Sequence, residues 1–483
     1  MRKNNLIIVV LMLILFSVQA HSGPIKNETA IEFKSNSGQS SPAYEGFFRV
    51  PENRNNPDSR QISVNYVRFP ATGKTKGHPI VYLAGGPGGS GIATAKWRRY
   101  PLFMALREFG DVIALDQRGT GQSEQAETCS SGQQIALTER VSDEEIQHRY
   151  QKAALECLSY WKQQGIDVYG YTTEQNAWDI EQLRVHLGAE KVVLWGISYG
   201  SHLAFSAMKL FPETIEKVMI ASAEGLNQTV KSPALTDDYF SRIQTVINQQ
   251  PLGTDISDLP ALMRRVHQKL ERQPLPLTIP QPDGSAIPML LQRYHMQMLA
   301  SRMIADPGRY LTFLIHIYHH LDKGNAELLL QVLQRGIFDA EPISFTLMPL
   351  AMDIASGVSA EKLQEINAQA KSALLGQFLN FPMPALNKLD SQLDLGEEFR
   401  RKPVADIPTL LFTGTLDGRT YPDGQSDAVS GLRNVTQIKV INAGHNLFTS
   451  SPDVLNRMKE FLLGKPVSRQ AIQLPLPVFA LER

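Results

Sequence analysis

Apolar runs without polar alternation recur along the chain. The purest covers Val192, Val193, Leu194 and Trp195, a pattern expected of a parallel strand covered on both faces. It breaks at Gly196, and residues 201–211 then place Leu203, Ala204, Ala207, Met208 and Phe211 at helical spacing before Pro212 stops the run. Upstream, 44–50 and 62–69 read as strands, the second alternating Ile62, Val64 and Tyr66 against Ser63 and Asn65, with a Pro- and Asn-rich turn between them. That is an antiparallel lead-in to a sheet. Further buried strands are predicted at 79–83, 111–115 and 217–221. Residues 172–187 read as a helix with Thr172 and Gln175 spaced as a capping box, Ala177, Ile180, Leu183 and Leu187 on one face, and Gly188 as the stop. Strand, helix and strand in that order imply parallel pairing with right-handed crossovers.

From 225 to 404 the texture changes. No strong β run appears, while helical stretches at 259–270, 289–304, 310–321 and 326–333 are separated by turn-rich breaks such as 273–287. Strand patterns return at 408–412 and 437–441, followed by a closing helix at 453–463 and a Pro-containing tail. The pattern predicts an α/β chain with a mostly parallel central sheet flanked by helices. Its core is split into 21–224 and 405–465, around an inserted helical cap at 225–404, with 466–483 as a C-terminal tail. Residues 1–20 read as a secretory signal: Arg2 and Lys3, a wholly apolar 6–16, and Val18-Gln19-Ala20 as the cleavage site. That apolar run is too short to span a bilayer comfortably, an uncleaved anchor being the alternative. The expected location is periplasmic or extracellular.

Lys plus Arg and Asp plus Glu both number 48. A balanced chain argues against a nucleic-acid or anionic-membrane partner. The two cysteines, Cys129 and Cys157, share one polar, helix-rich stretch. In an exported protein they are expected to pair, the alternative being two buried thiols. Neither has a second ligand at metal spacing. His316, His319 and His320 do have i, i+3, i+4 spacing, but on a polar cap-helix face they read as solvated surface. No metal and no cofactor is expected.

The candidate chemistry sits at the ends of the predicted strands. Gly196-Ile197-Ser198-Tyr199-Gly200 matches G-x-S-x-G in its required context of strand, tight turn and helix, which marks Ser198 as a nucleophile. The strand at 79–83 runs into Ala84-Gly85-Gly86-Pro87-Gly88-Gly89-Ser90-Gly91, whose uncovered amides suit an oxyanion. A phosphate loop is not matched, since no Gly-Lys-Ser/Thr closes it. Asp116 and Arg118, after the next strand, read as hydrogen-bonding ties for a glycine-rich turn. Asp417 and His445 follow the two late strands, where open parallel sheets build their sites.

The order Ser198, Asp417, His445 resembles that of α/β-hydrolases. More closely, LAGGPGGSG at 83–91, DQRGTGQS at 116–123, GISYG at 196–200, the late Asp and Gly-His, and the cysteine placement are similar to the secreted tripeptidyl aminopeptidases, relatives of the prolyl aminopeptidases. The resemblance covers both sheet segments. It implies an α/β-hydrolase fold and a serine exopeptidase that cleaves short peptides from a free N-terminus beneath a helical cap. Prolyl aminopeptidases carry His where this chain has Ala84, so proline specificity is not implied. Gly418-Arg419-Thr420-Tyr421-Pro422 follows Asp417 where that group shows Thr-Pro, and the cap matches no motif.

On chemical grounds Ser198 attacks the carbonyl, His445 shuttles the proton and Asp417 orients the imidazole, with Glu224 as the alternative acid. The backbone N–H of Tyr199 and that of Gly85 or Gly86 would hold the oxyanion. Glu224, Asp339 and Glu341 are candidates to meet the substrate ammonium. Two rival functions use the same residues: an esterase of small acyl esters, and a secreted binding protein of the same fold without activity.

Overall fold

The computed structural model describes residues 23–74 and 76–480, so the expected export signal lies outside the described residues. The first strands are β1 (Glu28–Lys34), β2 (Ser40–Pro51), β3 (Gln61–Phe69), β4 (Ile80–Leu83), β5 (Val112–Leu115) and the two-residue β6 (Cys129–Ser130). There follow β7 (Val192–Ile197), β8 (Ile215–Ala221), β9 (Leu275–Pro280), β10 (Ala286–Leu291), β11 (Ser344–Phe345), β12 (Thr409–Gly414), β13 (Val435–Ile441) and β14 (Ile472–Gln473). Ten of these form one sheet in the order β1-β2-β3-β5-β4-β7-β8-β12-β13-β14. Pairing is antiparallel from β1 through β3 to β5 and parallel from there to β14. The antiparallel lead-in and the mostly parallel body are those the hydrophobic pattern implied.

Strands β4, β5, β7 and β12 are buried at every position, which accounts for their unbroken apolar sequences. Helices cover both faces. On one side the helices Asp143–Gln163, Thr173–His186 and Tyr199–Leu210 join a core containing Trp161, Leu183, Leu194 and Leu203. On the other, Tyr100–Leu106 and the closing helix Pro452–Leu462 pack on Trp195, Phe412 and Val440. Thr172 caps its helix by accepting the N–H of Gln175, but the other half of the capping box that the spacing predicted does not form, because the Gln175 side chain accepts the Arg54 N–H at 3.1 Å.

The polar leader of the sequence holds β1, which the apolar pattern did not reveal. Besides Phe33, which packs on Phe69, polar groups anchor it: the buried Glu28 carboxylate meets the Arg68 guanidinium at 2.5 Å and also accepts the Tyr66 hydroxyl. Inside 225–404 the absence of β structure is corrected. The turn-rich break at 273–287 is most of a hairpin, β9 and β10, whose turn is closed by Gly284 at φ +84°. The helix expected from 289 begins only at Arg293, because Met289 to Leu291 complete β10. Pro276, Pro280 and Pro288 masked the strand signal, and an isolated two-stranded hairpin tolerates them because its edges are open. Ile279, Met289 and Leu291 bury into a cluster formed by the helices Pro233–Ile247, Leu259–Arg272, Arg293–Met303 and Thr312–Asp322.

The insertion is not a separate lid throughout. Its helix Leu347–Ser356 places Leu347, Leu350, Ala351 and Ile354 in the main core beside Tyr199 and Ala177. The tail also does more than close the chain. Strand β14 pairs parallel to β13, and Phe479 is wholly buried in the insertion's cluster, where its carbonyl accepts His316 Nε2. No helix among the described residues is long and apolar enough to cross a membrane.

Cys129 and Cys157 are bonded, with Cα atoms 5.5 Å apart, a linkage compatible with export. The bridge ties β6 to the helix Asp143–Gln163. Replacing both cysteines with serine should lower the unfolding free energy by roughly 3 to 4 kcal/mol in the chain-entropy account of a loop of this length. Urea titrations of the two forms check this, and coincident midpoints would show that the crosslink contributes nothing.

Candidate active site

Strand β7 delivers Ser198 into a backbone conformation of φ +55° and ψ −126°, a region that costs a non-glycine residue about 1 to 3 kcal/mol. The chain tolerates it because glycines stand two residues to either side, where the turn is tightest. A Cβ on Gly196 would lie 2.6 Å from the Gly200 carbonyl oxygen, and one on Gly200 would lie 2.1 Å from the Leu83 oxygen. The turn is fastened by Ser201, whose hydroxyl donates to the Ser198 carbonyl at 2.5 Å. The helix Tyr199–Leu210 begins immediately after, so the Tyr199 N–H has no acceptor within its own helix and is free for a ligand oxygen.

Asp417, at the end of β12, is fully buried. His445 Nδ1 donates to it at 2.9 Å and 3.0 Å from its two oxygens. The N–H groups of Arg419 and Thr420 and the Thr420 hydroxyl also converge on the carboxylate, at 2.8 to 2.9 Å. Burial works against its ionised form, but the adjacent His445 and these donors outweigh it and hold the carboxyl below its usual range. The histidine loop is fixed in turn: Ser222 Oγ donates to the His445 carbonyl at 2.7 Å, and the His445 N–H bonds Ala305 of the insertion at 2.9 Å. Residues 304–307 lie so close to both loops that a Cβ on Gly418 would meet the Ile304 oxygen at 2.1 Å, and one on Gly444 would meet Pro307 at 2.6 Å.

Ser198, His445, Gly85 and Gly86 line one cavity of about 580 Å³. Gly85 packs directly on the serine, its Cβ position lying 3.2 Å from Ser198 Cβ. The glycine loop is held from beneath as expected of the DQRGTGQS turn. Asp116 takes the Ser90 hydroxyl at 2.5 Å and the Ile92 N–H at 3.0 Å, and Gln117 Nε2 donates to the Ala84 carbonyl at 2.9 Å. Arg118 is fully buried on Asp179, 2.6 Å away.

Of the three acids proposed for the substrate ammonium, the fold brings only Glu224 to this cavity. Asp339 and Glu341 are exposed and do not border it; Asp339 instead accepts the Glu341 N–H at 3.2 Å. Glu224 pairs with Lys231 at 2.5 Å, while His445 pairs with Asp417. Sequence reasoning missed Asp353, which shares the cavity with Glu224 and Lys231. Among the described residues no hydrogen bond or ion pair engages its carboxylate, and burial together with the nearby Glu224 raises its pKa to about 7. One signal was legible: Asp353 is the lone charge in the apolar helix Leu347–Ser356.

Residues 78–452 match the family model described as the alpha/beta hydrolase fold. The chain belongs to the α/β-hydrolase family. Within it, curated relatives include the "Serine protease Hip1" of Mycobacterium tuberculosis, 27% identical over 37% of this chain and 35% of that protein. A "Tripeptidyl aminopeptidase" of Streptomyces lividans is 27% identical over 37% of this chain and 34% of its own length. A "Probable proline iminopeptidase" of Streptomyces coelicolor is 30% identical over 34% of this chain and 39% of its own. The α/β-hydrolase chain thus aligns with little more than a third of each relative.

In this α/β-hydrolase, Asp417→Asn should lower kcat by about 10⁴-fold, because an amide at that position favours the wrong imidazole tautomer. Glu224→Gln should alter KM more than kcat. Steady-state kinetics on a chromogenic substrate decides between them, and the reverse pattern would make Glu224 the acid that serves His445.

Proposed function

We propose that this α/β-hydrolase is an exported serine exopeptidase that removes short segments from the free N-terminus of peptides. The observation that carries the reading is the cavity itself, whose lining brings Ser198 and His445 together with the acids Glu224 and Asp353. A peptide ammonium that leaves water for the inner part of this cavity costs several kcal/mol unless a carboxylate meets it. Glu224 is already balanced by Lys231. Asp353 is the unengaged acid, and an arriving ammonium would draw out its ionised form. The peptidase names of the relatives agree with this reading.

Catalysis then follows from the chain's own groups. Ser198 Oγ attacks the scissile carbonyl as its proton passes to His445 Nε2, and Asp417 stabilises the imidazolium across the Nδ1 bond. The oxyanion accepts hydrogen bonds from the backbone N–H of Tyr199 and that of Gly85 or Gly86. His445 protonates the leaving amine, the N-terminal segment stays as an ester on Ser198, and water releases it by the same steps. Ser198→Ala should abolish both turnover and organophosphate labelling; labelling at the wild-type rate would identify a different nucleophile.

Acetylating the N-terminus of a good peptide substrate should cut kcat/KM by at least about 100-fold, the scale of a lost charge-assisted contact. Equal cleavage of free and acetylated peptides would end the aminopeptidase reading, and fast turnover of simple acyl esters beside it would favour an esterase. Affinity should also follow Asp353. Below about pH 7 its carboxyl is protonated and offers no charge, so KM for a free-amine peptide should fall as pH rises through that value. It should rise again as the substrate amine loses its own proton near about pH 8. Asp353→Asn should flatten the lower limb, and a variant whose KM tracked the wild type at every pH would remove Asp353 from the site.

A further inference from the structure

Behind the catalytic cavity lies a second one, of about 720 Å³, which contains neither Ser198 nor His445. The two chambers share Glu224, Lys231 and Arg419 in their linings, so these side chains form a partition seen from both sides. We propose that the Glu224–Lys231 ion pair is the end wall that sets how many residues are released from the substrate, and that the rear chamber is an extension it keeps closed to peptide. This rests on the exopeptidase reading above.

Three features make the pair a wall rather than a chance surface contact. First, it is removed from solvent: the side chains retain only 11% and 7% of their exposure at a separation of 2.5 Å. Second, Lys231 cannot swing away freely. Its ammonium also donates to the Gln228 carbonyl at 3.0 Å, and Asn380 grips its backbone twice, accepting the N–H at 2.6 Å and donating to the carbonyl at 2.7 Å. Third, the wall is indexed to the nucleophile. The Glu224 N–H donates to Ser201 Oγ at 2.8 Å, and that hydroxyl donates to the Ser198 carbonyl at 2.5 Å. Two hydrogen bonds therefore fix the distance from the attacking turn to the partition.

The charges agree with that role. A peptide N-terminus reaching the wall finds Asp353 and Glu224, whereas a chain extended by one residue would have to displace a buried ion pair. A fixed barrier of this kind discriminates on length by geometry, without reading side chains. The rear chamber has an apolar part, with Leu226, Val230 and Leu235, and a charged part, with Lys362, Arg401, Lys402 and Asp427, of which Lys402 and Asp427 pair with each other, so it offers an admitted peptide end both packing and polar contacts.

The test compares wild type with Lys231→Ala and Glu224→Ala/Lys231→Ala, the second removing both charges so that no orphan carboxylate is left buried. Each protein is given peptides sharing one C-terminal part and extended by one to four residues at a free N-terminus, and the released segments are sized by mass spectrometry. We expect wild type and Lys231→Arg to release one length. The ratio of longer to wild-type-length products should rise by at least about tenfold in the two opened variants, the discrimination an added group ordinarily meets in a closed pocket. Unchanged product lengths in either opened variant that still takes the organophosphate label at Ser198 would overturn the proposal. Failure of the exopeptidase reading is seen separately, in wild-type enzyme that cleaves acetylated peptides as fast as free ones.

Discussion

The structure depends on one crowded backbone crossing, where the turn at Ser198 passes between the ends of β4 and β8. The serine sits at positive φ, which is unfavourable for any residue with a side chain, and it remains there because the surroundings leave no alternative. Gly200 presses on the Leu83 carbonyl, Gly85 rests on the serine itself, and the Ser198 N–H reaches back to the Ala221 carbonyl. The same crossing fixes where the glycine loop can offer its amides and where Glu224 emerges from β8. Ser198, the glycine loop and Glu224, the residues to which the proposed mechanism gives its nucleophile, oxyanion donors and cavity wall, thus share one origin of coordinates.

The insertion completes the site instead of merely covering it. Its backbone at 304–307 lies against both loops that carry the acid and the histidine, and Ala305 accepts the His445 N–H. Asp353 reaches the cavity on a helix whose other residues, Pro349 apart, are buried. His202, on the helix following the nucleophile, bonds Ser356 at the end of that same helix and the Gly225 carbonyl beside Glu224. A fold in which the inserted segment were loose would therefore lose the geometry of the loops that carry Asp417 and His445 as well as the cavity.

The sequence made legible whatever was written in local pattern. Strands β4, β5, β7, β8, β12 and β13 carry apolar runs, the elbow is spelled out by Gly196 and Gly200, and Asp417 and His445 are marked by the strand ends they follow. What stayed hidden depends on contacts distant in sequence. Strand β1 is held by Glu28 on Arg68, forty residues away. The hairpin of the insertion is built from Pro-rich segments whose burial comes from neighbouring helices. Asp339 and Glu341 looked as suitable as any acid, but only tertiary placement sends them to the surface and brings Asp353 and Lys231 to Ser198. Residue type locates chemistry near a strand end; it does not say which residue of a helical insertion faces inward.

The last residues show how much a short segment can hold. Strand β14 covers the outer side of β13, and six residues later Phe479 plugs the apolar centre of the insertion, with the Val478 carbonyl taking the Thr312 hydroxyl on the way. A chain shortened to residue 465, where the sheet pattern ends, would bare a parallel strand edge and leave an aromatic-sized void at once. Bared edges are templates for intermolecular pairing. The tail thus covers an edge open to such pairing and adds one more tie between the sheet and the insertion.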